Sequence, residues 1–489
     1  MTKIVFQLLI FCLPFSLHAL GPSPSVEDLL ERFHLNEAKA EAQTIADPVE
    51  RDFYLLHIQL YKYMSTQDPG YLTGFDALWK KTVDKLEAKP DTLPLRNVML
   101  IELYGKKAML AFLKENFFGA LRMVRQCHKW TKRSAELFPD NKEQRKFQGV
   151  FNVVFASVPK KYQGLAEMLG YGGDAELGMT QLEEAAKGSR LLRAETYYVV
   201  FFVEKNVLGK AERAMVRMEK LKKKLGNNMM VDFLLASAYS GMHRNEKALE
   251  LLESRDGYVA DKRVFFTPYW DHAMGKAYYF KGDYEKSRLH FRRFLVANKG
   301  NIYEVDAKFR LGMSLILSGD VHGGQKIFRS LEDVKTSPFD EDEYAMAMAN
   351  RFAEHAPSPY LKQLFKARNY FDGGYQQQAL ATLKRLERQK EKLSSAELTE
   401  LYYRFGRVHH TDGALTEATR YYKKCVAQPP SDQKWMQAYA TFYMGDVSRE
   451  NKKEQEAIAY YKQVLQYDQY FYQAGLENRC KAILSEMKN

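Results

Sequence analysis

The feature that most constrains this chain is a recurring pair of small residues twelve positions apart. The pairs are Ala108/Ala120, Ala236/Ala248, Gly275/Ser287, Gly312/Gly324, Ala367/Ala379, Gly406/Ala418 and Gly445/Ala457. An eighth pair fits less well, with Phe202 in the first place and Ala214 in the second. Each pair reads as one residue on a helix, a turn, and one residue on a second helix, small where the two helices cross. From Phe202 onward the first positions are separated by 34, 39, 37, 55, 39 and 39 residues. The interval of 55 leaves room for an extra helix, which we place at Asp340 to Glu354. Units of this kind bury their apolar faces only against their neighbours, so the chain is expected to form a stacked helical array.

Aromatic residues and turns fall on the same frame. Tyr239, Tyr278 and Tyr370 lie three residues after the first small position, and Phe291, Phe328, Tyr422 and Tyr461 four after the second. The helices are joined by Lys281-Gly282-Asp283-Tyr284, Ser318-Gly319-Asp320 and Asp372-Gly373-Gly374-Tyr375. Glycine there supplies the left-handed conformation that stops the first helix, and aspartate caps the second. Pro430 ends the unit that begins near Tyr402. From about Leu191 to the C-terminus the chain thus resembles tetratricopeptide repeat proteins, through Gly275, Tyr278, Ser287 and Phe291 and through Gly406, Ala418, Tyr422 and Pro430. The resemblance implies an all-α fold, a right-handed superhelix (α-solenoid) of antiparallel helix pairs.

A second likeness covers about thirty residues. Ser157-Val158-Pro159-Lys160-Lys161-Tyr162, Leu169-Gly170-Tyr171-Gly172-Gly173-Asp174, Gly178 and Leu182 resemble the central stretch of the tetratricopeptide repeat protein 39 family. That stretch carries no catalytic motif.

Before residue 190 the pattern is less regular. Val26 to Ala46, Arg51 to Thr66, Gly74 to Ala88 and Leu95 to Asn116 read as amphipathic helices, broken at Asp47-Pro48, Asp68-Pro69-Gly70 and Lys89-Pro90. We read residues 20–190 as divergent helical repeats and 191–489 as the regular array. Residues 1–19 read as an export signal, with Lys3 as the positive start, Ile4 to Leu17 as the apolar run and Ala19 near the cleavage point. The expected location is therefore periplasmic or extracellular, soluble after cleavage. The run is too short to span a bilayer core of about 30 Å as a helix. Cys127, Cys425 and Cys480 are an odd, widely spaced set, read as buried small hydrophobes rather than disulfide or zinc ligands.

No enzyme signature emerges, and the expected function is binding without catalysis or cofactor. Gly319 to Lys326 superficially suggests a phosphate loop, but Gln325 stands where lysine would follow the glycine. Ser157 and Lys160 are separated by the helix-disfavouring Pro159. His409, His410 and Asp412 are the best metal candidates, yet adjacent helical residues point about 100 degrees apart, so no metal is expected. The formal charge is +12, with clusters at Arg122 to Arg133, Lys220 to Lys224 and Lys384 to Lys392 on second helices. They read as solvated outer faces, with attraction to an anionic envelope polymer or membrane surface as the functional alternative. No nucleic-acid motif is present.

The repeat resemblance also implies that first helices line a concave groove where a partner binds. Its frame assigns to that groove Tyr269, His272, Lys276, Tyr279, Phe309, Met313, Arg368, Phe371, Tyr403, Arg407, His410, Tyr439, Phe442 and Arg449. Aromatics with arginine are what interface hot spots favour. The lysine of chaperone-tail clamps is absent, since its positions hold His272, Phe309, Leu364, Tyr403 and Phe442. The expectation is an exported scaffold or adaptor binding a peptide or protein partner. The alternative is a receptor for a glycan or small ligand, with Tyr278-Tyr279-Phe280 stacking on sugar rings.

Overall fold

The computed structural model describes residues 25–156, 172–188, 191–337, 340–429 and 434–487. The apolar N-terminal run, the stretch 157–171 and Pro430 lie outside them. Every regular element among the described residues is helical, and none is long and apolar enough to cross a membrane. The chain divides into two compact units. Unit 1 is Met1–Leu235 with Glu253–Thr267, and unit 2 is Ala236–Leu252 with Pro268–Asn489. Residues 191–235 thus fall in unit 1 together with the N-terminal helices.

Unit 1 holds α1 (Val26–Glu31), α2 (Leu35–Thr44), α3 (Pro48–Thr66), α4 (Phe75–Glu87), α5 (Pro94–Leu113), α6 (Phe117–Leu137), α7 (Arg145–Ala156), α8 (Ala175–Gly188), α9 (Arg193–Phe202) and α10 (Ala211–Leu225). Of α11 (Met229–Gly241), the residues to Leu235 belong here; α12 (Asn245–Leu252) belongs to unit 2, and α13 (Arg255–Ala260) again to unit 1. The single helix expected over Val26 to Ala46 is two, because Phe33 adopts a left-handed φ of 60° and buries its ring 6.4 Å from that of Phe265. Asp47-Pro48 is a helix start: the Asp47 carboxylate accepts from the Val49 and Glu50 amides, with proline at the first helical position. Asn116 likewise caps α6 through the Gly119 amide at 2.9 Å. In α7 and α8 the backbones touch, since a Cβ on Gly149 would lie 2.6 Å from the Gly178 carbonyl oxygen. After Phe202, where the frame wants a small residue, the helix opens into a π turn over Val203–Val207.

The core of unit 1 contains an ionic cluster drawn from three helices. Glu102 and Lys106 on α5, Lys146 on α7 and Glu195 on α9 are all buried. Lys106 pairs with Glu195 and Glu102, and Lys146 with both glutamates. Burial alone would raise the Glu102 carboxyl, but Lys146 and Lys106 outweigh it and hold it low. Glu195 is raised, burial there exceeding the pull of Lys106. His57 on α3 adjoins the cluster, its Nδ1 2.8 Å from the Phe53 carbonyl. Burial, with Lys106 adding to it, pushes His57 down to about 3 and leaves it neutral. The balance of two cations against two anions is what makes such burial tolerable.

Unit 2 contains the regular pairs. After α12 come α14 (Tyr269–Lys281) with α15 (Tyr284–Ala297), α16 (Glu304–Leu317) with α17 (Val321–Arg329), the added helix α18 (Asp340–Glu354), α19 (Pro359–Gly373) with α20 (Gln376–Glu387), α21 (Ser395–Thr411) with α22 (Leu415–Val426), α23 (Lys434–Glu450) with α24 (Glu454–Val464), and α25 (Gln473–Glu486). The turns follow the expected chemistry. Gly282, Gly319 and Gly374 have φ of 82°, 106° and 82°, and Asp283 and Asp320 cap α15 and α17.

The helix crossings obey a rule that also ties the sequence together. Where the first small residue is glycine, the ring sixteen positions later packs on it: a Cβ on Gly275 would lie 2.8 Å from Phe291, and one on Gly445 2.7 Å from Tyr461. Gly312 against Phe328 and Gly406 against Tyr422 are tighter still. Where the first residue is alanine, as at Ala236 and Ala367, the partner position holds Leu252 and Leu383. A planar ring needs the room a missing Cβ leaves, and an aliphatic side chain does not.

The helices do not stack in simple chain order. Although α15–α18 intervene in sequence, α14 packs on α19, which packs on α21, and α21 on α23. The Asn245 amide donates to the Tyr375 hydroxyl at 3.0 Å, joining the α12 and α20 ends. Helix α18 lays Tyr344 against Phe309, Trp435, Phe471 and Tyr472.

Candidate functional site

The first helices of unit 2 converge on a lining of aromatic rings and cations. Its most ordered end is around Asp306 on α16. That carboxylate accepts from Arg310 Nε at 2.9 Å, lies 2.9 Å from His272 Nε2, and is held well below the usual carboxylate range by Arg310 and His272 in spite of burial. Its own amide donates to the Asp342 carboxylate at 2.8 Å. The Asp342 carboxyl is pushed up to about 7, chiefly by burial. Arg310 also lies 5.5 Å from the Tyr279 ring centre and 5.7 Å from that of Phe280.

Further along, Arg368 donates to the Tyr344 hydroxyl at 2.8 Å and lies 3.6 Å from the Asp372 carboxylate. Arg404 pairs with Glu400 at 3.1 Å and lies 5.7 Å from the Trp435 ring centre. Arg407 differs from both. Its guanidinium sits between the Phe371 ring at 4.9 Å and the Tyr443 ring at 4.2 Å, with a long contact of 3.4 Å to the Tyr403 hydroxyl. Arg479 lies 4.6 Å from the Phe442 ring, and Lys276 5.7 Å from that of Phe280. Among the described residues no carboxylate lies within 4.0 Å of Arg407, Arg479 or Lys276. Burial and the Arg310 guanidinium hold the Lys276 amine below its ordinary value. The lining therefore carries more cations than partners for them.

Burial sorts the residues assigned from the sequence. Lys276, Arg368 and Arg407, each one residue after a small position, are partly exposed in the lining, as are Tyr269, His410 and Tyr439. Arg449 is fully on the surface. Phe309, Met313, Phe371 and Phe442 are corrected to core residues, at 4%, 0%, 1% and 0% exposure. Phe309 and Met313 are covered by the cluster that includes Tyr344 and Met348 of α18, while Phe371 and Phe442 offer ring faces to arginines. His272, Tyr279 and Tyr403 are also buried; His272 stacks on Tyr303 at 4.8 Å. The triplet Tyr278-Tyr279-Phe280 is buried too, with Tyr278 stacked on His290, so it has no open face for a sugar ring.

His409 stacks on Tyr421, whereas His410 lies 3.3 Å from the Tyr422 hydroxyl and 3.1 Å from Glu450. The two imidazoles thus serve separate neighbours. The basic clusters on α10 and α20 are mixed with acids, and Lys222 pairs with Asp232. Residues missed from the sequence include Arg310, Arg404 and Tyr443, all two positions before a first small residue. That register was available in the frame. Arg479 and Trp435 had no such signal.

Two family models match the chain. Iml2/Tetratricopeptide repeat protein 39 matches residues 147–300, about a third of the length, and a tetratricopeptide repeat model matches 399–432, the α21–α22 pair. No curated protein matches. Among solved structures, a tetratricopeptide repeat protein from Parabacteroides merdae is 14% identical, with 60% of this chain and 99% of that one covered and a TM-score of 0.29. PilW, a type IV pilus biogenesis factor, is 18% identical over 51% and 96%, with a TM-score of 0.21. The human IFIT1 dimer with PPP-AAAA is 13% identical over 90% and 99%, with a TM-score of 0.29. At such scores the architecture rests on this chain's own helix pairs, its small-residue crossings and the two family models. On those grounds the chain is a protein of the tetratricopeptide repeat type.

Proposed function

We propose that the protein is an exported adaptor whose unit 2 binds an acidic segment of a protein partner, and that its role is binding rather than catalysis. The observation that carries this reading is Arg407, a guanidinium held between two rings with no carboxylate within 4.0 Å among the described residues. Lys276 and the more exposed Arg479 likewise have no carboxylate within 4.0 Å among the described residues. A partly desolvated cation without a counter-ion gains from an incoming carboxylate what water no longer supplies. The paired acids Asp306, Asp372 and Glu400 argue for a peptide over a nucleic acid. A nucleic acid strand brings a charge about every 3.4 Å and would meet those acids, whereas a peptide can space its carboxylates between them.

Hydrogen exchange tests the site. An added acidic peptide is expected to protect amides of α19, α21 and α23 and to leave α10 and α20 unchanged. Protection confined to other helices would refute the assignment. Export is supported by the run Ile4 to Leu17 and is checked by sequencing the mature N-terminus, expected just after Ala19.

A further inference from the structure

We infer that α6 docks the protein on an anionic bilayer surface. The helix runs for 21 residues, Phe117–Leu137. Ala120, Cys127, Thr131 and Ser134 are buried on one side. On the other, Phe118, Arg122, Arg125, Lys129 and Lys132 are all exposed, spaced three or four apart. That spacing sets them in one stripe about 21 Å long. Among the described residues Arg122, Arg125, Lys129 and Lys132 have no carboxylate within 4.0 Å, and the stripe meets its first acid only at Glu136. The clusters on α10 and α20 are interrupted by Glu219, Glu387 and Glu391 and lack this continuity.

The start of the helix decides what kind of anion covers it. Phe118 is 89% exposed, and Phe117 and Leu121 are 49% and 43% exposed beside it. Two phenyl rings and a leucine in water gain nothing from a soluble polyanion. Against a bilayer they enter the acyl boundary while the cations behind them meet lipid phosphates. The stripe lies wholly in unit 1, so this proposal does not depend on how the unit 2 lining is used.

The test is co-flotation of the full chain with vesicles of phosphatidylcholine alone or with about a third phosphatidylglycerol, at near-physiological salt. Binding is expected only with the anionic lipid. Each cation near such a surface contributes about fivefold in affinity, so Arg122→Glu/Arg125→Glu/Lys129→Glu should weaken binding by well over tenfold. Phe117→Ser/Phe118→Ser should also weaken vesicle binding but leave any binding of soluble polyphosphate unchanged. All these side chains are on the surface, and unaltered circular dichroism and thermal unfolding would confirm that the variants fold. Absence of binding to anionic vesicles, or indifference to the charge reversals, would overturn the proposal. So would phenylalanine variants that bind vesicles like the parent, which would make the stripe a site for soluble polyanions.

Discussion

The pairing of glycine with a ring at the helix crossings makes a quantitative prediction at Gly275 and Phe291. An alanine Cβ at 275 would lie 2.8 to 2.9 Å from three ring carbons, against 3.4 Å or more in ordinary contact. The ring, fully buried, must retreat by more than half an ångström or the helices must part. Such overpacking costs about 1–3 kcal/mol. The gain in helix propensity returns about 1 kcal/mol, so Gly275→Ala should lose up to about 2 kcal/mol net. Phe291→Leu alone leaves a partial cavity and should cost about 2 kcal/mol. The double variant recreates the Ala236/Leu252 and Ala367/Leu383 pairs found elsewhere in the chain. It should lose only about 1–2 kcal/mol, not the sum of about 2–4 kcal/mol, a coupling of about 1–2 kcal/mol. Native-state hydrogen exchange in α14 and α15 reads these changes within unit 2. Additivity of the two changes to within about 0.5 kcal/mol would refute the idea that ring and glycine are chosen for each other.

Other consequences are equally specific. Lys146→Met removes one cation from the buried cluster and leaves Glu102 and Glu195 with Lys106 alone; about 3–5 kcal/mol of stability should be lost in urea unfolding. A loss below about 1 kcal/mol would mean that water reaches the cluster. His57 is held neutral to about pH 3 when folded, while its unfolded value is near 6.5. Between those values the unfolded chain binds the extra proton, so stability falls as pH drops below about 6.5, by roughly 2 kcal/mol at pH 5. His57→Phe should flatten that part of the pH–stability curve, and an unchanged slope would exclude His57 as its source. Cys127, Cys425 and Cys480 are free and buried, and burial pushes the Cys480 thiol up to about 12. None should react with a thiol reagent in the native state, and all three should react in denaturant.

Local chemistry was the legible part of the sequence. Gly282, Gly319 and Gly374 could be read as turn residues because only glycine takes those backbone angles cheaply. The interval between Gly312 and Ala367 located α18, since a gap that long in a repeating pattern must hold another element. The apolar burial of the cysteines followed from their neighbours. What escaped depended on residues far apart in the chain. Glu102, Lys146 and Glu195 lie on separate helices, and nothing local marks them as partners. Met313 sits on the frame's groove side, yet α18 covers it, so register alone named a surface that does not exist. Phe33 broke a helix that hydrophobic periodicity ran straight through. The groove cations fall between these cases: Lys276, Arg368 and Arg407 were found by register, but their lack or possession of a counter-ion is a property of the fold.

In the proposed function the lining binds carboxylates through cations that have no carboxylate within 4.0 Å among the described residues. Fluorescence anisotropy of labelled peptides, identical except for glutamate, glutamine or lysine at alternate positions, measures that directly. Saturable binding of the glutamate peptide is expected, weakened by salt and reduced more than tenfold by Arg407→Gln, as loss of a desolvated charge contact should do. Equal affinity for the glutamine peptide, or full affinity in a folded Arg407→Gln variant, would contradict it.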